Sequence, residues 1–232
     1  MKKKIVILTG AGMSAESGIS TFRDSNGLWE QHRIEDVATP EGFAKNPELV
    51  LRFYNERRRQ LLSCKPNEGH VGLADMEKIF DVRIITQNVD NLHEQAGSTK
   101  VIHLHGELMK SCSVKNLNRP FDISPGSPDI HLGDKADDGG QLRPFIVWFG
   151  EAVPMIDPAI EWVEDSDILV VIGTSLNVYP AAGLINYIRK GQSIFLIDPK
   201  EVNTHRNDVH FIKAGASDGV KQLVEILKKH YK

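Results

Sequence analysis

Residues 4–30 read KIVILTGAGMSAESGISTFRDSNGLWE, and the parsing of this stretch decides the fold. The apolar run Ile5 to Leu8 leads through Thr9 into Gly10, Ala11 and Gly12, the pattern of a strand buried on both faces that ends in a tight turn before a helix. Such strands belong in a parallel sheet, whose crossover helices cover both faces. Three more runs repeat the pattern: VRIITQNVD at 82–90, SDILVVIGTSL at 166–176 and QSIFLIDP at 192–199. Helical patterns lie between them, EGHVGLADMEKIF at 68–80 and PAAGLINYIRKG at 180–191. The chain closes on SDGVKQLVEILKKHYK, with Val220, Leu223, Val224 and Leu227 on one face and lysines at its end. This order predicts an α/β fold, a doubly wound parallel (Rossmann-like) sheet.

Two segments break the rhythm. Residues 31–70 read as helices with a charged cluster, and 107–144 are rich in Pro, Gly, Ser and Asp with little periodicity. Both are assigned to a smaller inserted subdomain. The 232 residues then form a single unit, with a larger part at 1–30, 71–106 and 145–232 and a smaller one at 31–70 and 107–144. A composition 41% hydrophobic and 25% charged suits one sizeable core. A net charge of −3 gives no basic excess, so nucleic acid held through its phosphates is not an expected partner. The two cysteines, Cys64 and Cys112, build neither a disulfide framework nor a four-cysteine metal site. The apolar run after MKKK is too short for a signal peptide, and no stretch is long enough to span a bilayer. A soluble, cytoplasmic protein without a membrane partner is expected, of open oligomeric state.

In open α/β sheets, ligands gather at the carboxyl ends of the strands, which here carry TGAG, TQNVD, GTS and IDP. Backbone N–H groups of the Gly10–Ala15 turn suit a pyrophosphate, although the same glycines equally serve a plain turn. A plain dinucleotide fold also places an acid at the end of a second strand ~20 residues on. Glu30 and Glu35 lie near that distance, but LWEQHRIEDVATP at 28–40 has no strand pattern, so the ribose-binding half of that reading fails. Asn88 or Asp90 caps the helix NLHEQAG or faces a ligand; Ser175 closes a turn or does the same. His103 and His105 share one face of VIHLHG. Donors, acceptors and a histidine meeting at several strand ends point to one crevice.

Taken in order, GAGMSAESGISTFRDSNGLWE, TQNVDNLHEQAG, HLHGEL, VWFGE and GTSLNVYPAAG resemble the sirtuins, NAD-dependent protein deacylases, over nearly the whole chain. The resemblance implies NAD as co-substrate and acyl-lysine proteins or peptides as partners. Free lysine, nicotinamide and O-acyl-ADP-ribose are then the products. GISTFRDSNGLWE becomes the cofactor loop, with Thr21, Phe22 and Arg23 against NAD. Gly10, Ala11, Gly12 and Ala15 would line the phosphates, and Gln87, Asn88 and Asp90 the ribose and carboxamide. Gly173, Thr174 and Ser175 would meet the phosphate and adenosine half, with Asp198 and Ala216 nearer the adenine. Asp198 stands where the family more often has Asn. His105, immediately before Gly106, matches the general base, and His103 does not. The peptide would pair as a strand between VWFGE and NVYPA, touching Val147, Phe149, Gly150 and Val178. Part of the family transfers ADP-ribose to protein instead, and a non-catalytic NAD or ADP-ribose sensing module is a third reading.

The helix NPELVLRFYNERRRQLL at 46–62 bears on the acyl group. Val50, Tyr54, Arg57 and Leu61 share one face, and Arg57 interrupts the apolar stripe. It calls for an anion, either a structural carboxylate or a ligand. Arg58 and Arg59 are expected to point elsewhere, into solvent. The Tyr54-x-x-Arg57 pair resembles that of sirtuins preferring succinyl- and malonyl-lysine, and the stretch from DVATPEGF to FYNERRRQL looks closest to bacterial desuccinylases that also remove acetyl groups. The family usually holds zinc with two cysteine pairs in the smaller part, but residues 107–144 contain only Cys112. His131, Asp134, Asp137 and Asp138 are alternative ligands there, with an Asp/Gly-rich surface loop as the simpler meaning. No zinc is expected; packing of Leu117, Phe121, Ile123 and Leu132 is expected to hold the module.

Overall fold

Six parallel strands carry the larger part of the chain, in a computed structural model that describes residues 2–19, 32–204 and 206–230. In chain order the elements begin with β1 (Lys4–Thr9), α1 (Gly12–Ala15), α2 (Ile34–Val37), α3 (Pro40–Lys45), α4 (Pro47–Ser63) and α5 (Glu68–Met76). Next come β2 (Asp81–Thr86), α6 (Leu92–Gln95), β3 (Val101–His103), β4 (Gly106–Ser113), β5 (Asn116–Asp122) and β6 (Leu142–Ile146). The chain finishes with α7 (Ile156–Glu164), β7 (Ile168–Ile172), β8 (Ser193–Ile197), β9 (Val209–Ile212) and α8 (Ala216–His230). The larger sheet has the order β3-β2-β1-β7-β8-β9.

Alternation along the central strands explains why they are apolar throughout. Ile5 and Ile7 of β1 and Val170 of β7 join one core with Leu73 and Met76 of α5 and Leu223 and Leu227 of α8. Val6, Leu8, Leu169 and Val171 face the other way, into a core with Ala159 and Val163 of α7. The sheet is therefore covered on both sides, as a parallel sheet requires. The predicted helix at 180–191 is only a 3₁₀ segment, Ala181–Asn186. Among the described residues no helix is long and apolar enough to cross a membrane.

Asn67 starts α5 and ties it to the site. Its Oδ1 accepts the amides of Gly69 (2.9 Å) and His70 (3.2 Å), and its Nδ2 donates to the Met13 carbonyl (2.8 Å). Asn67→Ala is expected to cost about 1 kcal/mol of stability, the usual worth of a lost N-cap, read as a shifted midpoint in urea unfolding. An unchanged midpoint would show that the cap contributes nothing.

The smaller part departs from the sequence reading in three ways. Residues 107–144 are not merely irregular: β4, β5 and β6 form an antiparallel sheet of order β5-β4-β6. Its packing is not the one expected, because Leu117 is 40% and Leu132 54% exposed, with Phe121 and Ile123 half-buried. β5 is an edge strand, which tolerates Pro120 and leaves most of its side chains in solvent. Third, Arg58 is not solvated; it is completely buried. Its Nε donates to the Leu108 carbonyl (2.7 Å), and its Nη1 donates to Asn55 Oδ1 (2.7 Å) and to the Pro128 carbonyl. Asn55 in turn bonds the backbone of Ile130 through both ends of its amide (2.9 and 3.0 Å). α4 thus holds the module through polar side chains, while Arg59 pairs with Asp129 at the surface. Burial pulls the Arg58 pKa down to about 10, so the guanidinium stays charged at neutral pH.

Candidate active site

β1 is the strand at which the sheet order reverses, with β2 on one side and β7 on the other. The crevice at such a reversal is where open α/β sheets receive ligands. Two turns close over it. The Gly10 amide donates to the Ile172 carbonyl (3.0 Å) and the Gly12 amide to the Gly173 carbonyl (2.9 Å), stitching the β1 turn to the end of β7. This closeness demands glycine. A Cβ at Gly12 would lie 2.7 Å from the Gly173 Cα, and Gly173 itself has a φ of +62°. Around the stitch, Ala11, Gly12, Gly173 and Thr174 are half-buried and Ala15 and Ser175 are exposed. None of these residues carries a charge. Glu16, just after α1, accepts the Ser217 amide (3.3 Å).

The end of β2 is organised by a buried hydroxyl network. Thr9 and Thr86 are register partners, and the Thr9 hydroxyl donates to Thr86 Oγ1 (2.8 Å). Thr86 Oγ1 also accepts the Asn88 amide (3.0 Å). Asn88 Nδ2 donates to the Gly10 carbonyl and to Ser14 Oγ (both 3.0 Å), and the Ser14 hydroxyl donates to Asp90 Oδ2 (2.9 Å). Asp90 Oδ1 accepts the Leu92 amide (3.1 Å), so one side chain ties the start of α6 to Ser14 of α1. Burial raises the Asp90 pKa against those hydrogen bonds. Gln87 spans the crevice, its Nε2 donating to Thr174 Oγ1 (3.1 Å). Neither Thr9, Thr86 nor Ser14 was among the sequence candidates, although both threonines stand at the polar end of an apolar strand.

The two histidines are set differently. His105 Nδ1 lies 3.0 Å from the Gln87 carbonyl, which can only accept, so Nδ1 carries the proton and Nε2 the lone pair. Burial lowers the His105 pKa, and the bond to Gln87 only partly offsets this. His103 faces acceptors on both nitrogens, the Asn88 carbonyl (3.1 Å) and Glu94 Oε1 (2.7 Å). Burial pulls its pKa down, but the Glu94 carboxylate outweighs that and the net shift is upward. The two shifts are opposite: the surroundings of His105 favour the neutral ring, and those of His103 the protonated one.

On α4, Arg57 is half-buried, with Nε and Nη1 inaccessible to water and without a hydrogen-bond partner among the described residues. Its Cζ lies 5.3 Å from the centre of the Phe53 ring. Burial lowers its pKa and neighbouring Glu56 raises it. Tyr54, one turn away and 5% exposed, accepts the Trp148 indole N–H (3.0 Å). Val147 and Val178 are half-buried, and Phe149 and Gly150 are exposed.

The Sir2 family model matches residues 10–180, a span that takes in the β1 turn, the β2 end, both histidines and the β7 turn. The chain belongs to the Sir2 family. It is 58% identical over 229 residues to the NAD-dependent protein deacylase of Bacteroides thetaiotaomicron, covering 97% of this chain and 98% of that protein. With the NAD-dependent protein deacylase of Helicobacter pylori it shares 55% identity over 223 residues, 96% of each chain. Its fold matches the solved structure of a Sir2 homologue in complex with NAD at a TM-score of 0.86, with 40% identity over 98% of this chain and 90% of that one.

For this Sir2 family chain the remaining candidates fall as follows. Asp198 follows β8 directly, beside the Gly173 amide that donates to the Ile197 carbonyl (3.0 Å), and its Oδ1 accepts the Lys200 amide (2.8 Å). Ala216 is 4% exposed and belongs to the core that holds Met13 and Ile197. Thr21, Phe22 and Arg23 lie outside the described residues. The donor set does not fit structural zinc. Cys112 is buried in β4, its thiol pushed up to about 11 chiefly by burial. Asp138 accepts Ser113 Oγ and the Gly140 amide, Asp134 accepts the His131 amide, and Asp137 pairs with Arg119. Among the described residues no group of three or more His, Cys, Asp or Glu could hold a metal ion.

Proposed function

We propose that this NAD-dependent protein deacylase removes succinyl and malonyl groups from lysine side chains, and acetyl groups as well, in the cytoplasm. The carrying observation for the acidic acyl groups is Arg57. Two buried guanidinium nitrogens, one helical turn from a phenol, meet no described acceptor, which leaves a cation that a carboxylate would pair with. Such donors are costly to bury unpartnered, and a distal acyl carboxylate satisfies them.

The crevice residues fit a dinucleotide, because the β1 and β7 turns present backbone and hydroxyls without a competing carboxylate. Gly10, Ala11, Gly12, Ala15, Gly173, Thr174 and Ser175 would hold its phosphate side. Gln87, Asn88 and Asp90 would hold the ribose and carboxamide, with Asp198 and the backbone of Ala216 toward the adenine. NAD, when bound, would supply an electrophilic ribose carbon for the acyl oxygen of the substrate, with nicotinamide as its leaving group. His105 takes a proton from a ribose hydroxyl on Nε2, while its Nδ1–H stays on the Gln87 carbonyl. The amides of Val147, Trp148 and Phe149 are already committed to His105 O, Glu151 Oε2 and Ala38 O. This stretch would therefore meet a peptide strand through its carbonyls and Gly150, with Val178 on the opposite side.

The test is mass spectrometry of succinyl-, malonyl- and acetyl-lysine versions of one peptide incubated with NAD. Loss of each acyl group with formation of O-acyl-ADP-ribose is expected. Label passing from NAD to protein without deacylation would replace this reading with ADP-ribosyl transfer. The pH dependence is a second test. A base must be neutral, and His105 is shifted down, so kcat/KM should fall on the acid side with an apparent pKa below the ordinary imidazole value and be flat through neutral pH. An acid limb centred above that value would move the role to a group such as His103.

A further inference from the structure

Trp148 is 2% exposed and ends in an N–H that can only donate. Among the described residues its single acceptor is Tyr54 Oη at 3.0 Å. A phenol hydrogen prefers the ring plane and has two positions there; an indole N–H occupying one side leaves the hydrogen the other. Tyr54 is thereby held with its O–H directed away from Trp148, and no described residue accepts that proton. Trp148 is itself clamped. The Arg143 guanidinium stacks 3.4 Å from the centre of its ring, and both Arg143 Nη atoms donate to Glu151 (2.6 and 3.0 Å). Glu151 Oε2 also accepts the Trp148 amide (2.8 Å). Packing alone would need only the bulk of the indole; the N–H is used by Tyr54 alone among the described residues.

We propose that Trp148 is a positioning residue for acyl specificity: its indole N–H sets the Tyr54 hydroxyl as a donor toward the distal carboxylate of the acyl group, beside Arg57. This rests on the acidic-acyl reading above and adds a residue to it. Trp148→Phe keeps an aromatic ring and deletes the donor. The succinyl-to-acetyl ratio of kcat/KM should fall about 3- to 10-fold, the worth of one hydrogen bond, and the change should sit in KM for the succinyl peptide. In a Tyr54→Phe background the same substitution should leave the ratio where Tyr54→Phe put it. Should Trp148→Phe disturb folding, 3-benzothienylalanine at 148 keeps the indole shape with sulfur in place of N–H and should give the same ratio change.

Equal losses on both peptides, an unchanged ratio, or an undiminished further drop in the Tyr54→Phe background would each overturn the proposal. Arg57→Ala, run alongside, separates the two levels. If it shifts the ratio while the Trp148 variants do not, only the role of Trp148 fails. If it shifts nothing, the acidic-acyl reading fails and the role of Trp148 with it.

Discussion

His105→Ala should lower kcat for deacylation by about 100- to 10,000-fold, the range in which a positioned general base contributes. The imidazole is half-buried and makes one described hydrogen bond, to the Gln87 carbonyl. Its removal leaves the Thr9–Thr86–Asn88 network and the glycine stitch intact, so NAD affinity and melting temperature should stay close to wild type. That combination is the diagnostic: turnover lost, binding and folding kept. Near-normal turnover in the variant would remove His105 from the chemistry. Loss of NAD binding would make it a structural support for the β2 end.

Arg57→Ala should reduce the desuccinylation kcat/KM by about 10- to 100-fold relative to deacetylation, because a charge-assisted hydrogen bond to a carboxylate is worth roughly 1.5–3 kcal/mol. The acetyl peptide has no distal carboxylate for the fork. The change should lie mainly in KM for the succinyl peptide, since the guanidinium grips a group that does not react. Arg57→Lys should recover part of the loss, a point charge replacing a fork. Parallel losses on both substrates would show that Arg57 supports the fold of α4 instead.

The comparison of Arg57 with Arg58 shows how far the sequence could be read. Val50, Tyr54, Arg57 and Leu61 were recognised as one stripe, but Leu51, Asn55 and Arg58 repeat the same steps and are all buried. α4 is covered on two sides, and two polar residues in the second stripe disguised it. Four strands of the larger sheet, β1, β2, β7 and β8, were legible because strands buried on both faces are largely apolar; the short edge strands β3 and β9 were not. β5, exposed along most of its length, has no such mark, and its pairing with β4 comes from backbone bonds. In the crevice, glycine turns and a histidine before glycine could be noticed from residue type, but the choice of His105 over His103 came from the family resemblance. The threonine pair could not, because its meaning depends on the register Thr9↔Thr86 across two strands 77 residues apart.

The position of His105 in the chain has a mechanical consequence. The Leu104 amide donates to Thr86 O (2.9 Å) in one sheet, and the His105 carbonyl accepts the Val147 amide (3.0 Å) at the border of the other. Gly106 then turns the chain with a φ of +84°, where a Cβ would stand 2.1 Å from the Phe145 carbonyl oxygen. His105 is thus a rivet through the seam between two plates. Any tilt of one plate on the other must swing the ring, so the aim of the imidazole is a gauge of how truly the halves are docked.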